Sequence, residues 1–243
     1  MAREQRVVPA ESDVLCETCG YTLNGLPPGA NCPECGTPTD LSLALDTRTL
    51  PAWEREDASP LVRFVRTSAH IIFTPGRFYR TLLTRAPVNR AAVFARVYYV
   101  VCSTMLSIAA YLHLDWMFQM LLPQPRPGVW WALVFFVVCY ASLEGITRLA
   151  TRLTSVEATF WGFRLPRKVV MRGLYYHAAH YLPVALVTLL TVVGYRTLLD
   201  QRVLSPATGT TYLYVLCAEV VLMAGYLFQT YWIGMKNMMR ANR

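Results

Sequence analysis

The stretch AAVFARVYYVVCSTMLSIAAYLHL, residues 91–114, carries a single charge in its length. It matches the roughly 20 apolar residues that a helix needs to cross a hydrocarbon slab about 30 Å thick. A segment in lipid must satisfy its own backbone N–H and C=O groups, so the run reads as a transmembrane helix. Arg96 lies near its start, within reach of the headgroups by snorkelling. Three similar runs follow, near residues 129–147, 173–195 and 211–234, the third interrupted by Pro183. Tyr98, Tyr99, Trp116, Trp130, Trp131, Tyr195, Tyr212 and Trp232 fall near the ends of the runs, where an aromatic belt is expected.

Composition agrees. The chain is 54% hydrophobic and 16% charged, where a soluble domain is nearer a quarter charged. The charge is segregated. Residues 1–59 hold four Arg against ten acids, and residues 60–243 hold nineteen Lys and Arg against five acids. The polar start and the late first apolar run predict no signal peptide, with the first span acting as its own insertion signal.

Basic residues orient the spans. Seven, Arg63 to Arg96, precede or enter the first span, six from Arg148 to Arg172 fill the second connection, and three follow the fourth span. Only Arg126, Arg196 and Arg202 fall on the opposite side. Sixteen against three predicts a multi-pass protein of the inner (cytoplasmic) membrane with both termini cytoplasmic.

The acidic head contains Cys16-Glu-Thr-Cys19-Gly20 and Cys32-Pro-Glu-Cys35-Gly36, with twelve residues between the pairs. A C-x2-C turn aims two thiolates at one tetrahedral ion, and two such turns complete a closed four-thiolate site. Gly20 and Gly36 follow each second cysteine, where the turn favours positive φ. Asn24-Gly25 and Pro27-Pro28-Gly29 are turn formers, and Tyr21, Leu23 and Leu26 are the expected core. A head this small needs the metal's folding energy, so one structural Zn2+ is expected on Cys16, Cys19, Cys32 and Cys35. A disulfide pair or a redox C-x-x-C competes, but a reducing compartment and matched glycines disfavour both. Residues 1–40 hold two Arg and six acids, and the site adds negative charge. Such a surface repels phosphate, so nucleic acid is disfavoured. A cytoplasmic protein partner, or the protein's own basic face, fits better.

The expected fold is therefore an all-α polytopic membrane protein, a four-helix transmembrane bundle with a small zinc ribbon. Residues 1–40 form the ribbon, 41–59 a linker, 60–85 amphipathic helices and 86–243 the bundle. Ser59-Pro60 starts the first amphipathic helix as N-cap and N1. At 100° per residue, Leu61, Val62, Val65, Ala69, Ile72 and Phe73 share one side, widened by Phe64 and Ile71, with Arg63, Arg66, Thr67 and His70 opposite. That pattern suits a helix lying in the membrane interface, or one packed against the bundle. Pro75-Gly76 ends it, and a second short helix is expected from Phe78 to Arg85. The aromatic segment Val156 to Arg164 is expected in a cytoplasmic loop.

Ionisable groups inside spans are candidate functional sites. His177 and His180, spaced i,i+3, and Glu144 fall at similar depth near the cytoplasmic side, so they could bind a metal or pass protons. The simpler alternative has the histidines facing headgroups and Glu144 paired with Arg148. Glu219 lies mid-span among apolar neighbours. It is expected to face the bundle interior, hydrogen-bonded to Ser107, Thr188 or Thr191. Cys102, Cys139 and Cys217 lie singly in apolar runs and read as small hydrophobes.

The head, Cys16-x2-Cys19-Gly-Tyr-Thr-Leu-Asn-Gly-Leu-Pro then Cys32-Pro-Glu-Cys35-Gly, resembles the rubredoxin-like zinc ribbons that head many bacterial membrane proteins, notably in planctomycete-type genomes. The body is similar to the Yip family of Rab-interacting membrane proteins through Phe73-Thr-Pro-Gly-Arg-Phe-Tyr79 ahead of the first span. That family usually has five spans, against four here. The resemblance implies a membrane-organising or adaptor role without catalysis. The reading is a non-enzymatic integral membrane protein whose ribbon binds a protein partner. The alternative is a small ion- or proton-coupled transporter using Glu219 or Glu144, His177 and His180, which a homo-oligomer would assist. A membrane metalloenzyme at the histidines is third.

Overall fold

The computed structural model describes residues 8–242 apart from 11, 28, 44–47 and 122–126. Pro28 of the ribbon turn, part of the stretch read as linker, and Arg126 therefore lie outside the described residues. The described chain is helical, with isolated β-bridges and no named strand. Four helical spans are long and apolar enough to cross a membrane: Asn89–Met120, Trp130–Phe160, Arg167–Asp200 and Gly209–Met238.

The elements are α1 (Asp40–Leu43), α2 (Pro60–Phe73), α3 (Pro75–Thr81), α4 (Asn89–Leu121), α5 (Trp130–Phe160), α6 (Arg167–His177), α7 (Tyr181–Asp200) and α8 (Gly209–Met238). A 3-10 turn over Ala178–His180 joins α6 to α7 within the third span. Pro183 explains it: its ring crowds the carbonyl of residue 179 and its nitrogen donates nothing, so the preceding turn tightens.

The chain divides into two compact units. One comprises Met1–Phe94, Thr147–His177 and Thr230–Arg243, the other Ala95–Ile146 and Ala178–Gln229. The first holds the cysteine head, α2, α3, α6 and portions of the other spans. The second holds the middle of the apolar runs. There Leu133 and Val137 of α5, and Val220, Val221 and Leu222 of α8, are more than half exposed, a surface suited to hydrocarbon rather than water.

The long helices exceed the runs read from hydropathy because buried hydroxyls and caps carry them onward. In α5, Thr147, Thr151, Thr154 and Ala158 form one buried stripe. Val156–Phe160 is accordingly the last turn of α5 rather than loop. It ends at Gly162, φ +75°, with Gly162 N–H donating to the Thr159 carbonyl and Phe163 N–H to that of Ala158. This is a Schellman cap. Arg202 ends α7 in the same way at φ +58°, an unusual place for a residue with a Cβ.

In α2, Thr67, Ser68 and Ile71 are buried. The apolar side is turned out: Leu61 is 72% and Phe73 80% exposed, with Val62 and Val65 also exposed. The edge of that face packs inward, Ile71 fully buried and Phe64 against Trp53 and Phe94 of α4, so both alternatives are met in part. Proline sits at N1 of both α2 and α3, so Pro75 opens α3 directly after Thr74. α3 stops at Thr81 because Leu82 is extended and bridges to Thr49.

Residues 48–54, part of the stretch read as linker, make specific contacts within the first unit, while Arg55, Glu56, Asp57 and Ser59 are exposed. Thr49 N–H donates to the Thr81 carbonyl and Leu83 N–H to that of Thr49. Trp53 lies against Phe64 and Phe94, and its indole N–H donates to the Arg90 carbonyl at 2.7 Å. Glu54 pairs with Arg172 of α6 at 2.8 Å, side chains 5% and 0% exposed, and accepts from the Tyr176 hydroxyl. Charge in this stretch suggested solvent. A buried guanidinium elsewhere in the chain gave it a partner instead.

Candidate metal centre

The head is built twice at an offset of sixteen residues. Cys16 N–H donates to the Tyr21 carbonyl and Gly20 N–H to that of Cys16, each at 2.8 Å. Cys32 N–H donates to Thr37 and Gly36 N–H to Cys32, again at 2.8 Å. The bridges Leu15–Thr22 and Asn31–Pro38 close the two turns. Gly20 and Gly36 take φ of +90° and +70°, as the tight turns require.

This repetition brings the four cysteine sulfurs within 4.8 Å of one another. Cys16 Sγ lies 3.6 Å from Cys35 Sγ, and Cys19 Sγ 3.5 Å from Cys32 Sγ. These separations are too long for disulfides, whose sulfurs lie about 2.05 Å apart. They are close to the roughly 3.8 Å expected between ligands of a tetrahedron with metal–sulfur bonds of about 2.3 Å. The donor set therefore fits a metal ion. Burial pushes the Cys19 thiol up to about 12, although the Tyr21 amide opposes this. The Thr37 hydroxyl and amide bring Cys35 down to about 6. Leu23 is buried with Cys16 and Cys32, and Leu26 packs beside them. Tyr21, expected in this core, is exposed instead, and Leu15 is buried.

The head is fastened to other parts of its unit by arginines. Arg48, its side chain 2% exposed, forms an ion pair with Glu17 at 3.0 Å. Its guanidinium also donates to the carbonyls of Tyr79 and Leu82 at 3.2 Å and of Asn237 at 3.1 Å. Arg164 donates to the carbonyls of Ala10, Asp13 and Ala241 and to the Asn242 side chain. Asn242 reciprocally bonds the Leu15 backbone, accepting at 2.8 Å and donating at 2.8 Å. Arg240 donates to the Thr18 carbonyl. Of the two acceptors considered for the acidic head, the structure realises the protein's own basic groups.

The intramembrane candidates fall elsewhere. His177 Nε2 lies 3.0 Å from the Thr230 hydroxyl in the first unit. His180 Nδ1 lies 2.7 Å from the Tyr226 hydroxyl in the second. Both rings are buried and meet hydroxyls of α8, so neither faces headgroups. Among the described residues the four cysteines alone form a group of three or more ligand-type side chains that converge. Glu144, His177 and His180 are not in such a group. Glu219, 8% exposed, accepts a hydrogen bond from Thr188.

A second polar constellation lies in the second unit. Asp115 pairs with Arg196 at 3.2 Å and accepts from Gln119 at 2.6 Å. Beside it Trp116, Tyr195 and Tyr212 form a buried cluster, the two tyrosine rings stacked at 4.0 Å. His113 Nδ1 lies 2.9 Å from the Tyr212 hydroxyl. Gly209 admits the indole, since a Cβ there would stand 3.0 Å from Trp116 Cζ2. Tyr98 and Tyr99 are buried too, so these residues are core rather than belt; Trp130 and Trp232 are exposed. The sequence signal for this cluster was Asp115 and Gln119 at i,i+4, on the same side as the two arginines that follow the third span, Arg196 and Arg202. No protein-family model, curated protein or solved structure matches the chain.

Proposed function

We propose that this is a non-enzymatic multi-pass membrane protein of adaptor or membrane-organising type. In this reading the metal is one structural Zn2+, both termini are cytoplasmic, and the ribbon presents a face to a cytoplasmic protein partner. The observation that carries it is the convergence of four cysteine sulfurs on a head held by saturated arginines. Four thiolates leave no open coordination position, so such a metal stiffens a surface rather than performing chemistry. Tyr21, Leu41 and Leu43 are exposed on that head and supply apolar contact. The outward apolar residues of α2, Leu61, Val62, Val65 and Phe73, suit a helix seated among headgroups. The Yip-like stretch Phe73–Tyr79 is in keeping with such a role.

Metal analysis of the purified chain should give one zinc per molecule. Cys16→Ser or Cys35→Ser should unfold residues 14–37 and leave the spans inserted. A photocrosslinking residue at Tyr21 or Leu41 should yield one discrete adduct in cells that Cys16→Ser abolishes. No adduct, or one indifferent to Cys16→Ser, refutes the adaptor reading. Reporters placed after Asn242 and in the α4–α5 connection should give opposite signals. A second reading, ion- or proton-coupled transport, draws on the buried mid-span carboxyl of Glu219.

A further inference from the structure

A cleft of about 520 Å³ lies in the first unit between the cysteine head, α3 and α8. Its wall includes Thr18 and Thr37 of the two cysteine turns, Arg80 of α3, Lys236 of α8 and, just beyond α8, Arg240. Arg48 also lines it, but that guanidinium is committed to Glu17 and three carbonyls, and Glu17 is the one carboxylate in the described wall.

Arg80 and Lys236 differ from Arg48. Both are exposed, and among the described residues neither makes a hydrogen bond or an ion pair. Arg240 gives one donor to the Thr18 carbonyl and keeps the rest of its fork. Three cations with spare donors thus line one concavity, where the low-dielectric walls concentrate their field. The Thr18 hydroxyl adds a further donor. A tetrahedral dianion, with several acceptor oxygens, answers that donor set better than a carboxylate does. Lys236 also stands one turn beyond Trp232, which is 56% exposed in the manner of an interfacial anchor. That places the opening at headgroup height.

We propose that this cleft binds a phosphate group, presented by an anionic phospholipid headgroup or by a soluble phosphate ester. The site is independent of the ribbon's protein partner. Its absence would leave the adaptor reading standing, and the reverse also holds.

The test uses the full-length, metal-loaded protein in phosphatidylcholine nanodiscs. One arm adds inorganic phosphate to the solution and the other includes phosphatidic acid in the disc. Affinity is read from amide-exchange protection at residues 236–240. The R80Q/K236Q double variant should weaken binding about thirty-fold, at about five-fold per juxtamembrane cation. R80K/K236R should restore it, which separates lost charge from lost folding. R77Q, on the same helix outside the cleft, should bind as wild type. Protection by phosphatidic acid alone assigns the headgroup. Protection by inorganic phosphate alone assigns a soluble ester, and mutual competition assigns one site open to both. Protection by neither probe overturns the proposal. Equal loss in R77Q and R80Q/K236Q, or failure of R80K/K236R to restore binding, also overturns it.

Discussion

Arg48→Met should loosen the cysteine head from α8 without unfolding either. The guanidinium is buried and donates to both Glu17 carboxylate oxygens and to three main-chain carbonyls, those of Tyr79, Leu82 and Asn237. Methionine nearly preserves the volume but leaves the Glu17 charge and those carbonyls without their donor. Removing one partner of a buried pair costs about 3–5 kcal/mol. Glu17 keeps some access to water, its side chain being 20% exposed, and this places the estimate near the lower end, about 3 kcal/mol. Global unfolding of a polytopic protein is a poor readout, so the measure is local. Amide exchange at Thr49 and Leu83, which join the Arg48 segment to the end of α3 beside the Tyr79 and Leu82 carbonyls, should accelerate by about a hundred-fold. Exchange at Cys16 and Cys32, held within the head, should stay slow. Glu17→Leu in the Arg48→Met background should recover part of the loss by removing the stranded charge. Unchanged exchange at Thr49 and Leu83 in Arg48→Met would refute the reasoning.

Other outcomes follow from the same geometry. Metal affinity should rise with pH: ions must displace the Cys19 proton, held up to about 12, throughout the neutral range. Below about pH 6 the Cys35 proton must also leave, so a competition titration with a chromophoric chelator should steepen there as pH falls. Glu219→Gln keeps an acceptor for Thr188 and should preserve thermal stability, whereas Glu219→Leu should lose about 1 kcal/mol. An ion-flux assay in which Gln abolishes transport at unchanged stability would favour the transporter reading. Arg202→Gly should stabilise the end of α7 by about 1 kcal/mol, since a Cβ is unfavourable at φ +58°, and a lower melting temperature would contradict this.

The spans were legible because hydrocarbon imposes one demand, a long apolar helix, and residues 91–114 meet it with one charge, Arg96, near the start. The metal centre was legible because its ligands repeat within a turn. The fastening was not, because it depends on pairs far apart in sequence. Glu54 and Arg172 are 118 positions apart, and each taken singly suits an exposed surface. The histidines show the same limit. Depth put His177 and His180 level with Glu144, but depth does not say which neighbouring helix a ring meets. Tyr195 and Trp116 were misread as belt because aromatic residues at span ends serve either lipid or one another.

The bonds between Leu15 and Asn242 join residues 227 positions apart. Translation at roughly 5–20 residues per second makes Asn242 some ten to fifty seconds after Leu15. Throughout that interval the cysteine head has no tail to rest on, and Arg164 and Arg240 reach it only late as well. The head must therefore remain soluble on its own while the spans insert one after another, and its thiols stand open to whatever metal or oxidant the compartment offers. Docking of the head on Asn237, Ala241 and Asn242 waits until that segment has been made. A polypeptide stalled before α8 is complete would hold its head by Arg48 on Tyr79 and Leu82 and by Arg164 on Ala10 and Asp13, without the bonds to Asn237 and Asn242.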